Sequence, residues 1–318
     1  MPARYRRSCQ SLLILALLCV TAAWAADKRS RPVKRARPPR TWNPEVDEVF
    51  SRDATTLLSG PRPTLRKDGA TPGGVEPGNG ISSPAADDFA WSRLISPEVL
   101  TDEIKVSKAE ADQHLSNPSA FKSGGNNQIR RLYSVNAVMF AIIARHDKDV
   151  RWKEIAAGAR DLFARAGRNA KAADDATYKE SKARAEDLGA LLRGESIEVP
   201  PPDPDLRWDQ VTDLNPLMRR LELAFEKRLR GWTAKQTEFA RHQPETVHEA
   251  EIIAALAEVI HEEEFENYDD EEYVGFCEQL QKGALSVADA ARLGNFEAAQ
   301  SAAGQIYKAC SQCHEVYR

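Results

Sequence analysis

Cys310-Ser311-Gln312-Cys313-His314 is the run of this chain whose residue types and spacing can do chemistry. Two thiols three residues apart can add across the two vinyl groups of one porphyrin, and the adjoining imidazole then reaches iron as an axial ligand. Cys-x-x-Cys-His is the attachment signature of c-type haem. On a helix, positions i, i+3 and i+4 share a face, so Cys310, Cys313 and His314 are all expected to point into a helix-packed core. The expected cofactor is one covalent haem c with its iron. Cys310 and Cys313 would be its thioether anchors and His314 its proximal ligand.

Other chemistries draw on the same residue types. A zinc site would need a fourth ligand, which Cys277, His242, His248 or His261 could supply, but zinc sites usually come as paired clusters. A thioredoxin-like redox pair belongs beside a βαβ pattern, and none is visible. A plain Cys310–Cys313 disulfide is strained on a regular helix. Cys277 lies on an apolar stripe beside Phe276 and reads as a small buried hydrophobe. The three histidines read as surface or helix-end residues.

The elements that must hold these residues read as helices. Phe296, Ala299, Ala303, Ile306, Cys310, Cys313 and Tyr317 recur at intervals of three and four, the seam of a helix packed in a bundle, with Asn295 as its cap. A second stripe runs through Leu214, Leu217, Met218, Leu221, Phe225, Leu229 and Trp232, opened by Asn215 with Pro216 at the first helical position. A third runs through Val247, Ile253, Leu256 and Ile260, and a fourth through Tyr273, Phe276, Cys277 and Leu280. Four amphipathic helices with short polar connections predict a four-helix bundle over 214–318.

The same plan occurs earlier in the chain. Pro97 and Pro216 lie 119 positions apart, Phe121 and Phe239 118, Trp152 and Tyr273 121, and Tyr178 and Phe296 118. Near-constant offsets predict an internal duplication, with a first bundle over 88–198 and a Pro-rich linker over 199–213. At that offset Cys310, Cys313 and His314 fall on Leu192, Glu195 and Ser196, so the first copy lacks the haem motif. The fold class is thus all-α, two tandem antiparallel four-helix bundles after a disordered N-terminal leader.

With Cys310-Ser311-Gln312-Cys313-His314-Glu315-Val316-Tyr317-Arg318 ending the last helix, residues 214–318 resemble the class II cytochromes c, the family of cytochrome c prime and its low-spin relatives. The resemblance implies an antiparallel four-helix bundle with haem near one end, and Arg318 near the haem as the basic residue four positions after the proximal histidine. It also implies that a methionine of the first helix completes the iron coordination in electron carriers, whereas an apolar residue there leaves iron five-coordinate. The chain has three methionines, Met1, Met139 and Met218, and Met218 is the candidate distal ligand in the haem bundle. A thioether raises the potential and suits one-electron transfer. A core methionine filling a bundle gap is the competing reading. Family members dimerise through their first two helices, which implies a homodimer or an internal pseudo-dimer of the two copies.

The rest of the chain sets the context. It has 318 residues with 44 basic and 48 acidic side chains, a formal charge of −4 that argues against nucleic-acid binding. Met1–Arg7 carries three arginines, Ser11–Val20 is apolar, and Ala23-Trp24-Ala25 offers small residues for cleavage after Ala25, so 1–25 reads as a secretory signal that removes Cys9 and Cys19. Residues 26–87 form a basic, Pro/Gly-rich leader expected to be disordered. No apolar stretch reaches the roughly 20 residues of a membrane span, so the mature protein is expected to be exported, periplasmic and soluble. Thirteen acidic residues and no lysine or arginine lie between Glu245 and Glu278, either a solvated face or a docking patch near Glu262–Asp270 for a basic redox partner. No phosphate loop or nucleophile with its base is visible, which points away from an enzyme. Electron transfer is the expected function. Five-coordinate binding of NO or CO and a haem-stabilised partner-binding module are the alternatives.

Overall fold

The structure, a computed structural model, describes residues 89–317. The signal and leader read at 1–25 and 26–87, and Arg318, lie outside the described residues. Those described are helical, with no strand among them. The long helices are α1 (Pro97–His114), α2 (Asn126–Arg145), α3 (Ala156–Asn169), α4 (Asp175–Arg193), α5 (Leu214–Ala224), α6 (Gln243–Val259), α7 (Glu271–Arg292) and α8 (Phe296–Val316). Helix α5 continues through a π turn, Phe225–Leu229, into a last turn, Arg230–Trp232.

Helix starts follow local chemistry. Ser96 caps α1 by accepting from the Val99 N–H at 3.4 Å, with Pro97 at the first position, where a missing N–H is tolerated. Asp270 accepts from the Glu272 and Tyr273 N–H groups at 2.9 and 3.3 Å to start α7, and Asn295 from Ala298 N–H at 3.0 Å to start α8. Helix α5 departs from expectation: it opens at Leu214 after Asp213, so Pro216 stands third in the helix rather than first. The first turn's N–H groups have no intrahelical partner, so Pro216 sits there without loss.

The helices form two sets, α1–α4 and α5–α8. In each, successive helices pack on one another and the fourth touches the first, α8 meeting α5 at the π turn. Corresponding helices open at Pro97 and Leu214, Asn126 and Gln243, Ala156 and Glu271, and Asp175 and Phe296, 115 to 121 residues apart. The segment between the sets lies on the first. A Cβ on Gly158 of α3 would stand 2.7 Å from the Pro200 carbonyl oxygen, so that backbone runs directly over α3. Trp208 is buried, with the Arg145 guanidinium 4.8 Å from its ring centre.

The sets pack on each other through α2 against α5 and α1 against α6. Accordingly α2 is buried from Arg131 to Ile143 and α6 from Glu249 to Ala257 without a break. An amphipathic helix buries one stripe; a helix covered on every side is apolar all round, as Ile252–Leu256 is. At the centre of this contact the Arg220 guanidinium, 1% exposed, donates through Nε and Nη2 to both oxygens of Glu103 at 2.7 and 2.8 Å. Its Nη1 donates to Glu249 Oε2 at 2.6 Å, the other Glu249 oxygen pairs with Arg228, and His248 Nε2 lies 3.0 Å from Glu103 Oε2. Nearby, buried Glu251 of α6 accepts from the Ser96 N–H and hydroxyl, both at 2.7 Å, and pairs with Arg292.

Two predictions follow from the Arg220 cluster. Arg220→Ala leaves Glu103 and Glu249 buried without their cation and should lower the unfolding free energy by about 3–5 kcal/mol; a loss under about 1 kcal/mol in denaturant titration contradicts the central role given to the cluster. Burial pushes the Glu103 carboxyl upward, but Arg220 and His248 more than offset it and hold it far below its ordinary value of 4.5. A depressed carboxyl stabilises the fold above its unfolded value, and that stabilisation is lost as pH falls toward the folded value. Stability should therefore decline below about pH 4.5, with a shallower decline in Glu103→Gln; equal slopes contradict the assignment.

Candidate haem-attachment site

The seam of α8 is folded as its spacing implies. Ala303 and Ile306 are buried, with Cys310, Cys313 and Tyr317 half-buried against the same core, while Ala299 is buried in a smaller cluster with Phe239, Ala290 and Ala291. His314 differs from expectation: its side chain is exposed. It lies about 100° round the helix from Cys313, beyond the edge of the seam and in the last turn of α8. The imidazole thus stands at the rim, with no hydrogen bond or ion pair among the described residues.

Two neighbours position α8. Helix α7 runs antiparallel to it, and the rings of Tyr273 and Tyr317 meet edge to face at 5.3 Å. Farther in, a Cβ on Gly283 would stand 3.1 Å from Ile306 Cγ1 and 3.4 Å from the Ile306 nitrogen. The hydroxyl of Tyr273 donates to the Ile260 carbonyl at 3.1 Å, which ties the acidic α6–α7 connection to this end of the set. On the other side, Gln300 Nε2 donates to the Thr233 carbonyl at 3.3 Å and the Arg230 guanidinium lies 5.0 Å from the Tyr307 ring centre. Cys310 in turn feels Glu226 of the π turn. Met218 of α5 is half-buried against the same core as the two thiols.

Burial pushes the Cys310 thiol up to about 11, with a smaller push from Cys313, and burial raises the Cys313 thiol. Both are therefore neutral thiols near neutral pH. The residues fit the attachment of one porphyrin in their donor chemistry: two half-buried thiols one turn apart on one helix, and beside them an exposed imidazole. The other histidines are engaged elsewhere. His242 stacks on Trp232 at 4.8 Å, His248 faces Glu103, and His261 Nδ1 lies 2.8 Å from the Ala257 carbonyl oxygen. Among the described residues, no group of three or more His, Cys, Asp or Glu side chains is arranged to hold a metal ion.

Of the thirteen acidic residues between Glu245 and Glu278, Glu249 and Glu251 are interior partners of arginines. Exposed Glu263, Glu266, Asp269, Asp270, Glu271 and Glu272 rim the end where Tyr317 and the motif lie. Burial, with Glu258 next, raises the Glu262 carboxyl, as expected of crowded acids only partly offset by Arg145. Among the described residues no helix is long and apolar enough to cross a membrane.

Comparison with protein-family models, curated proteins and solved structures finds no match to this chain. The functional reading rests on its own residues and their geometry.

The close approach of α7 and α8 carries a prediction. Gly283→Val forces its new side chain into Ile306 and should destabilise the fold by about 1–3 kcal/mol, while Gly275→Ala, a helix position where nothing lies within 4 Å, should stabilise it by about 0.5–1 kcal/mol; equal melting temperatures for the two variants contradict the packing.

Proposed function

We propose that this chain is an exported c-type cytochrome that carries single electrons through one covalent haem c, built as two tandem antiparallel four-helix bundles over 88–198 and 214–318. The carrying observation is the pair of half-buried thiols Cys310 and Cys313, one turn apart near the end of α8, with the exposed imidazole of His314 beside them. The ring of contacts in each helix set supports the bundle reading, and the matched helix starts support duplication.

The haem, when bound, supplies one-electron exchange at its iron. Cys310 and Cys313 would fix it to the helix face, and a ring nitrogen of His314 and the soft thioether of Met218, from the first helix of the same set, would hold its iron. The buried seam beneath the thiols, Ile306, Leu280 and Ala303 among it, keeps water from the inner side of the site. The acidic rim from Glu262 to Asp270 fits a basic redox partner, since complementary charge speeds encounter. The first set lacks the motif and fills its interior with stacked Phe140 and Phe163, 5.5 Å apart, and with Tyr133.

The test is an optical spectrum of the reduced holoprotein with and without CO, beside Met218→Ala. The wild type should be low-spin and resist CO, and the variant should become high-spin and bind it. A wild type that is already high-spin and binds CO at once removes electron transfer in favour of gas binding.

A further inference from the structure

Cys277 is not part of the Cys-x-x-Cys-His run, yet the packing of α7 on α8 brings it to the same place. The contacts of Tyr273 with Tyr317 and of Gly283 with Ile306 fix one antiparallel register along the two helices. One turn inward from Tyr273 is Cys277, and one turn inward from Tyr317 is Cys313, so that register sets the two sulfurs opposite each other. Both side chains pack on the same core. Electrostatics agrees: burial, then the Cys313 thiol, pushes the Cys277 thiol up to about 12. Small buried residues are frequent on both helices, Gly283, Ala284 and Ala288 on α7 and Ala299, Ala302 and Ala303 on α8, and at Gly283 the α8 backbone comes close. Bridging two cysteines needs Cα atoms about 4.4–6.8 Å apart, a spacing that small-residue packing favours. Cys310 lies three residues before Cys313 on the same helix, and a bond between the two would strain a helix that stays regular to Val316.

We propose that Cys277 is the disulfide partner of Cys313 in the haem-free chain, formed by exchange with a small-molecule or protein disulfide. Half-exposed Cys313 reacts first: its thiolate attacks one sulfur of the incoming disulfide, that S–S bond breaks, and one thiolate leaves. Cys277 then loses its proton and attacks the Cys313 sulfur, expelling the second thiolate. Two protein thiols are oxidised, and one external disulfide is reduced to two thiols. The bridge occupies the Cys313 sulfur that thioether formation requires. Resting here on the proposed haem attachment, the bridge makes attachment conditional on prior reduction.

The test uses the full chain produced without haem and treated with oxidised glutathione. Free thiols are alkylated in denaturant, and the digest is read by mass spectrometry. The expected product is a Cys277–Cys313 linked peptide with Cys310 alkylated, still formed in Cys310→Ser and absent in Cys277→Ser. A Cys310–Cys313 link, or glutathione on Cys313 with Cys277 alkylated, overturns the proposal. Covalent haem on the denatured chain is scored separately, with and without prior dithiothreitol. Failure of the reduced chain to take haem sinks the cytochrome reading and leaves the bridge standing. Haem attachment that is as complete without reduction as with it sinks the gating role of the bridge alone.

Discussion

The guanidinium of Arg220 holds the two helix sets in one arrangement. A buried cation is tolerated only where its donors are met, and here Glu103 of α1 and Glu249 of α6 meet them from opposite sides. That demand fixes α5 between α1 and α6, and the apolar length of α6 is covered on all sides as a result. With α5 fixed, its π turn reaches α8, and Met218 of α5 packs against the shared core. Glu251 adds a second tie, since it serves the start of α1 from within the other set.

The two sets use the same end differently. In α5–α8 that end is rimmed by Tyr273, Phe276 and Tyr317 around a pair of thiols. In α1–α4 the corresponding Trp152 donates to the Leu191 carbonyl at 3.3 Å, and Arg151 reaches the same carbonyl at 2.9 Å. The end of α4 is thereby closed by side chains of its own set. One helix set thus presents a pair of half-buried thiols at an end that the other closes with its own side chains.

Much of this was legible in local spacing. The three-and-four seam of α8, its Asn295 cap and the motif at its end all follow from side-chain periodicity. The exposed position of His314 did not, because the width of a buried face depends on what covers it, and His314 lies past the edge of the face that packs on the core. Arg220 and Glu103 were invisible for a related reason. Each looks like an ordinary charged helix residue, and the partners that bury them are 117 positions apart. Glu249 and Glu251 were read within an acidic run, while tertiary pairing places them inside. Cys277 was legible as buried, but its position opposite Cys313 needed the register of α7 on α8.

The central claim is covalent attachment of one haem through Cys310 and Cys313. Its most direct measurement is the mass of the denatured chain after production in a cell that matures c-type cytochromes, compared with Cys310→Ser and Cys313→Ser. The wild-type mass should be increased by one haem that survives acid and organic solvent, with a single remaining thioether in each variant. A wild-type chain whose mass is that of the polypeptide alone contradicts it.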